Sequence, residues 1–318
     1  PQGFEIGPDG RLFPTDWLEV IFNPSFPYRF VHMVTAAYLT TAFVVGGVGA
    51  FYLWRKRHES EARVMLGMAV IMAALVAPLQ VFIGDLHGLN TLEHQPAKVA
   101  AMEGHYETGR GVPLLLFGWP DEEAEEMRYT VEIPGLASLI LTHDWEGEVK
   151  GLKDWPRDER PPVAWVFWSF RVMVGIGFLM VGIGLISALY YYRGKLFETR
   201  WLQLWWMAMM PSGFIALLAG WFVTEIGRQP YIAYGIIKTA EGVSPAILGP
   251  QVAWSLLAFI VMYTLVFGAG SFYILKLIGK GIPPGEESGQ DDASDYYGHG
   301  LEAAPMRAAG KKPEAPHV

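Results

Sequence analysis

The chain of 318 residues is 52% hydrophobic and 14% aromatic, with twelve tryptophans, a composition of integral membrane proteins rather than soluble domains. It has no cysteine, which excludes disulfide frameworks, thiolate metal sites and cysteine-held iron–sulfur clusters and leaves metal chemistry to His, Met, Glu or Asp. The net charge of −8 comes without a basic tract, so nucleic acid is excluded as a partner.

Residues 1–29 open on Pro1 and show no secretory-signal pattern; the expectation is an outer segment of a protein that begins further upstream. Apolar runs of about 20 residues, enough for roughly 30 Å of hydrocarbon, follow near 30–54 and 64–84, a transmembrane pair. The second carries Pro78 and Gln80, tolerable where neighbours satisfy the freed backbone. Residues 85–160 mix the acidic stretch DEEAEE (121–126) with Trp119, Trp145, Trp155 and IPGLASLILT, and read as a folded outer cap with the acidic stretch as a solvated face. Three further spans lie near 162–192, 203–224 and 252–277, within a segment 161–280. The remainder, 281–318, is rich in Pro, Gly, Ser and acids and is expected to be disordered.

The fold class is therefore all-α, a polytopic membrane helical bundle of five transmembrane helices. Arg55, Lys56, Arg57 and Arg63 after the first span, and Arg193, Lys195 and Arg200 after the third, place those turns and the tail in the cytoplasm. The loop 85–160 then lies outside.

Within the spans, His32, Asp85, Arg171, Met173 and Glu225 resist the membrane, because a charged side chain at the bilayer centre costs about 2.5–3.5 kcal/mol on insertion scales. His32 alone reads equally as an interfacial histidine, and Met173 alone as apolar filler. Together they enter from one face, Met173 about ten residues deep at roughly 1.5 Å each. A His and Met pair fills both axial positions of an electron-transfer haem. Arg171 points elsewhere around the helix but can offer its planar fork to a propionate. Glu225 and Arg228 stand one turn apart, either as an intrahelical ion pair or as an iron ligand and a propionate partner.

Four stretches, YRFVHMVTAAYLT (28–40), KVAAMEGHYET (98–108), FRVMVGIGF (170–178) and GWFVTEIGRQPYIAYG (220–235), together resemble subunit I of the cytochrome bd quinol oxidases. The resemblance implies oxidation of a quinol, ubiquinol or menaquinol, and reduction of dioxygen to water, with a low-spin haem b, a high-spin haem b and a haem d or a haem b in its place. It assigns His32 and Met173 to the low-spin haem and Glu225 to the high-spin haem b. Arg171, Arg228 and Trp221 join them as cofactor-binding residues. Lys98 and Glu103 belong to the quinol-binding loop, a cation and a carboxylate suited to a reaction that releases two protons; Glu107 and Asp85 are second candidates for proton traffic.

The family's subunit has about nine spans, and this sequence starts near the residues before its fifth, with a short quinol loop. Expected partners are thus an N-terminal half of subunit I, a subunit II, a small subunit and membrane lipid, in a bacterial-type cytoplasmic membrane. The rival expectations are a haem b subunit that oxidises quinol without reducing oxygen, and a transporter or channel lined by Arg171, Glu225 and Asp85.

Overall fold

The computed structural model describes residues 2–8, 11–243 and 246–281. A ribbon of β1 (Phe4–Ile6) and β2 (Leu12–Pro14) leads into α1 (Trp17–Ile21), whose first amides are capped by Asp16. Two long helices follow, α2 (Phe26–Arg55) and α3 (Glu59–His94). The cap contains α4 (Pro96–Glu103), β3 (Gly109–Arg110), β4 (Leu114–Asp121), β5 (Glu126–Ile133), α5 (Leu136–Thr142) and β6 (Glu148–Val149). Then come α6 (Val163–Tyr192), α7 (Arg200–Ala208), α8 (Ser212–Ile226), the ribbon β7 (Tyr231–Ala233) and β8 (Ile237–Lys238), and α9 (Gly249–Lys280). Residues 1–256 and 257–318 form two compact units, and α9 begins in the first. The expected disordered tail lies, from residue 282 on, outside the described residues.

Five segments are long and apolar enough to cross a membrane: Phe26–Arg55, Glu59–His94, Val163–Tyr192, Arg200–Ile226 and Gly249–Lys280. Two differ in form from the sequence expectation. The second helix continues ten residues past 84, so Asp85 and His87 lie on α3 rather than in the cap. Hydropathy marks where the apolar run stops, whereas the helix stops only at Gln95–Pro96, where the residue before a proline is pushed out of helical geometry. The fourth span is broken between α7 and α8. Pro211 has no amide to continue the ladder, and the chain turns through Met210 N to Met207 O (3.3 Å) and Ser212 N to Met209 O (3.0 Å).

Helices α2, α3, α6 and α8 form a four-helix bundle in which α2 packs on α3, α3 on α6, α6 on α8 and α8 on α2. His32 and Met173 therefore stand on diagonally opposite helices. One end is closed tightly. Gly46 lets α2 approach so near that a Cβ there would lie 2.5 Å from the Trp206 ring and 2.8 Å from Ala69 Cβ. Trp206 is fully buried, stacks on Phe43 at 4.8 Å and donates its indole N–H to Ser187 Oγ at 2.9 Å.

The cap is built from ribbons as well as helices. In β4–β5 the pairing runs antiparallel from Leu114 opposite Ile133 to Asp121 opposite Glu126. The acidic stretch at its tip is mostly exposed, as expected of a solvated face, and two of its members also hold neighbouring segments. Glu125 accepts from Arg157 (2.5 Å) and Arg160 (2.7 Å), and Glu122 accepts from Ala164 N (3.2 Å) in the first turn of α6, where a negative charge suits the helix dipole. Lys238 at the end of β8 donates to Asp158 at 2.8 Å, tying the ribbon after α8 to the segment before α6.

Candidate functional site

Between the closed end and the cap three helices of the bundle carry only partly buried or exposed side chains. Among the described residues, α2 buries nothing from 26 to 38, α3 nothing from 78 to 94 and α6 nothing from 168 to 179, while α8 buries Ala219 and Val223.

His32 and Met173 both lie in these stretches. The His32 ring sits against α3 at Gly84, where a Cβ would come within 3.3 Å of its Cε1. Gln80, one turn earlier on α3, places its Nε2 at 3.2 Å from His32 Nδ1 and donates to the His32 carbonyl at 3.0 Å. Its Oε1 accepts from Thr35 Oγ1. Because the Gln80 amide nitrogen is a donor, Nδ1 accepts and the ring proton rests on Nε2 in this arrangement. His87 follows on the same face of α3, its ring centroid 5.4 Å from that of His32. Across the bundle the Met173 sulfur faces Gly220 of α8, where a Cβ would stand 2.9 Å from Sδ. Gln80, Gly84 and His87 were missed by sequence reasoning. Their spacing of four and then three, one helical face, was the available signal.

At the cap end the ionisable groups converge. Pro96 starts α4, and Gly104, at φ +75°, ends it in a left-handed turn that a side chain would crowd against Phe167. The helix is buried from Ala97 to Glu103. Lys98, only 3% exposed, donates to Thr224 O at 3.2 Å, and its stem lies against Gly227. Burial, with the nearby charges of Arg29 and Arg228, pushes the Lys98 ammonium down to about 7, and Glu225 opposes the shift. Glu225 accepts from Arg228 at 3.2 Å, the ion pair that the spacing foresaw. Arg29 Nε is buried without a partner among the described residues.

Glu103 and Arg171 meet. Arg171 Nη2 donates to Glu103 Oε2 at 2.9 Å, Nε to Leu115 O at 2.6 Å and Nη1 to Met102 O at 3.1 Å, with the guanidinium 4.5 Å above the Phe167 ring. The sequence reading gave these two residues to different ligands. Here each partners the other. Glu107 forms an exposed ion pair with Lys153, Asp85 is exposed on α3, and Trp221 leans on Phe222 with 58% of its surface exposed. These three do not join the buried cluster.

A helical bundle with five membrane-length spans, His32 and Met173 on diagonally opposite helices, and buried ionisable groups under one cap defines a polytopic membrane protein. The chain belongs to the cytochrome bd terminal oxidase subunit I family, whose model matches residues 1–282. It is 33% identical over 292 residues to a cytochrome bd ubiquinol oxidase subunit 1 of Bacillus subtilis, covering 88% of this chain and 62% of that protein. It is 29% identical to the cytochrome bd-II ubiquinol oxidase subunit 1 of Escherichia coli, covering 88% of this chain and 67% of the relative. Among solved structures, bd oxidase from Geobacillus thermodenitrificans superposes with a TM-score of 0.80 at 33% identity, over 89% of this chain and 64% of the other. The chain thus spans less than two thirds of the B. subtilis relative's length.

Proposed function

We propose that the chain is the quinol-oxidising, haem b-binding part of a cytochrome bd-type oxidase subunit I, working in a bacterial cytoplasmic membrane with its cap on the outer side. The observation that carries this reading is the placing of His32 and Met173 on diagonally opposite helices of the bundle, each set against a glycine. The residues fit a low-spin haem b, which His32 would hold through a ring nitrogen relieved of its proton and Met173 through its thioether. Such a group would supply one-electron transfer beside the quinol site. Glu225 is the ligand proposed for a high-spin haem b, with Arg228 as the cation toward its carboxylates. Haem d, or a haem b in its place, together with dioxygen and subunit II, belongs to the complete oxidase.

In this reading the quinol head, ubiquinol or menaquinol, docks under the cap near Lys98 and Glu103. Lys98, poised near neutrality, can hold or release a proton at a quinol oxygen. Glu103 accepts a hydrogen bond from the other hydroxyl while Arg171 fixes its direction. Because the reaction centre lies under the outer cap, its protons leave on that side and the electron transfer separates charge across the membrane.

The test is a dithionite-reduced minus oxidised spectrum of membranes expressing this chain with the remainder of subunit I. A low-spin haem b band is expected, lost in His32→Ala and altered in Met173→Leu. Folded protein with no haem band would overturn the reading in favour of an ion path along Asp85, Arg171 and Glu225.

A further inference from the structure

His105 lies two residues beyond Glu103, just past the left-handed turn at Gly104, and is 7% exposed. Its Nε2 is 2.9 Å from Pro113 O, an acceptor only, so Nε2 carries the proton and Nδ1 carries the lone pair. That Nδ1 is buried and has no hydrogen-bond partner among the described residues. A buried acceptor left unmade costs about 1–3 kcal/mol, and no packing role of His105 requires a basic nitrogen there. Burial holds the imidazole neutral, pushing it below its ordinary value.

The charged groups facing this ring come from three elements: Glu103 on α4, Arg171 on α6 and Glu132 on β5. Their arrangement is fixed by the β4 strand and the residue before it. Pro113 O holds His105, Leu115 O holds Arg171, and Leu115 pairs across the ribbon with Glu132, which is exposed. His105 therefore stands between an ion-paired carboxylate inside the cap and a free carboxylate on its surface.

We propose that His105 is the proton relay of the quinol site, taking at Nδ1 the proton released beside Glu103 and passing it toward Glu132 and solvent. This rests on the quinol-oxidising reading above. Glu103 itself is already engaged by Arg171 at 2.9 Å. In each half of the oxidation a quinol O–H bond breaks, an Nδ1–H bond forms and one electron leaves for a b-type haem; once the relay has passed its proton to water, the second O–H and the second electron follow in the same way, leaving the quinone. The imidazolium formed is balanced by Glu103 on one side and Glu132 on the other, and reverts to neutral imidazole when the proton reaches water.

The experiment uses the assembled oxidase with ubiquinol-1 as reductant. His105→Gln keeps an N–H donor for Pro113 O and removes the titratable nitrogen. Its haem spectrum and thermal midpoint should match the parent, while kcat falls by about 10²-fold, the lower end for general acid–base steps, with KM little changed. His105→Ala should recover part of that rate with added imidazole, and Glu132→Gln should be rescued by concentrated buffer. A normal kcat and pH profile in His105→Gln would overturn the relay, as would a loss that imidazole does not relieve. Nitrogen-15 spectra of histidine-labelled protein give a readout without turnover: the relay requires the Nε2–H tautomer, and an Nδ1–H tautomer sinks it. A parent enzyme that fails to oxidise ubiquinol-1 defeats the quinol-oxidising reading itself, which separates the two failures.

Discussion

Arg171 of α6 and Glu103 at the end of α4 form a buried ion pair at 2.9 Å, and Arg171 is two residues from Met173. The cap is thereby fastened to the same helix that carries Met173. Removing one member of a buried pair strands the other charge, at about 3–5 kcal/mol. Arg171→Met should therefore unfold at markedly lower temperature or denaturant in detergent. The double variant Glu103→Leu/Arg171→Met should recover at least about 1 kcal/mol relative to the sum of the single changes. Additive losses would mean that the pair does not couple the two elements.

Lys98 makes the cap's stability depend on pH in a direction opposite to that of a lysine stabilised by an ion pair. Its folded-state value of about 7 lies below the ordinary 10.5. Between those values the unfolded chain holds the proton and the folded chain does not, so stability rises with pH; below about 7 both hold it and the cost of the buried charge is felt in full. Comparing the parent with Lys98→Met between pH 7 and 10 should show an extra slope in the parent approaching about 1.4 kcal/mol per pH unit. Parallel curves would place the Lys98 value near that of a solvated lysine.

Gly84 and Gly220 should behave as parts of the site although neither has a side chain. Gly220→Val drives a branched side chain into the Met173 sulfur, and Gly84→Val drives one into the His32 ring. Each is expected to weaken or abolish the low-spin haem band in difference spectra. Gly177→Ala is the control, since a Cβ there meets nothing within 4 Å. Unchanged spectra in both valine variants would separate these glycines from haem binding.

Trp206→Ala removes a fully buried indole that is stacked on Phe43 and bonded to Ser187. Such truncations cost about 3–5 kcal/mol, so the variant should be the least stable of this set, with its unfolding midpoint as the measure. Because Trp206 sits at the closed end, the haem band of the surviving folded fraction should keep its shape.

The membrane spans were legible because apolar length is a one-dimensional property, and Glu225–Arg228 because a pair one turn apart meets on any helix. The break at Pro211 hid inside a run apolar enough to read as continuous. The ten extra residues of α3 hid because they are polar, yet helix needs only backbone bonds. Glu103 and Arg171 are 68 residues apart, and nothing local to either announces the other. Gln80 appeared as a flaw in an apolar span; only the approach of α2 turns it into the partner of His32. Long-range polar contacts depend on how helices pack, which local pattern does not specify.

The glycine-lined, tryptophan-sealed end of the bundle has an electrical consequence. The buried polar side chains nearest it, Thr40, Ser187, Gln203 and Ser212, carry only hydroxyls and an amide, and each donates to or accepts from a fixed partner. The buried ionisable residues among those described, Lys98, Glu103 and His105, all lie under the cap. That segregation makes the sealed half an insulating plug. Protons released at the site therefore find buried Lys, Glu and His side chains only on the cap side among the described residues, while electrons, which need no such groups, can go on into the bundle.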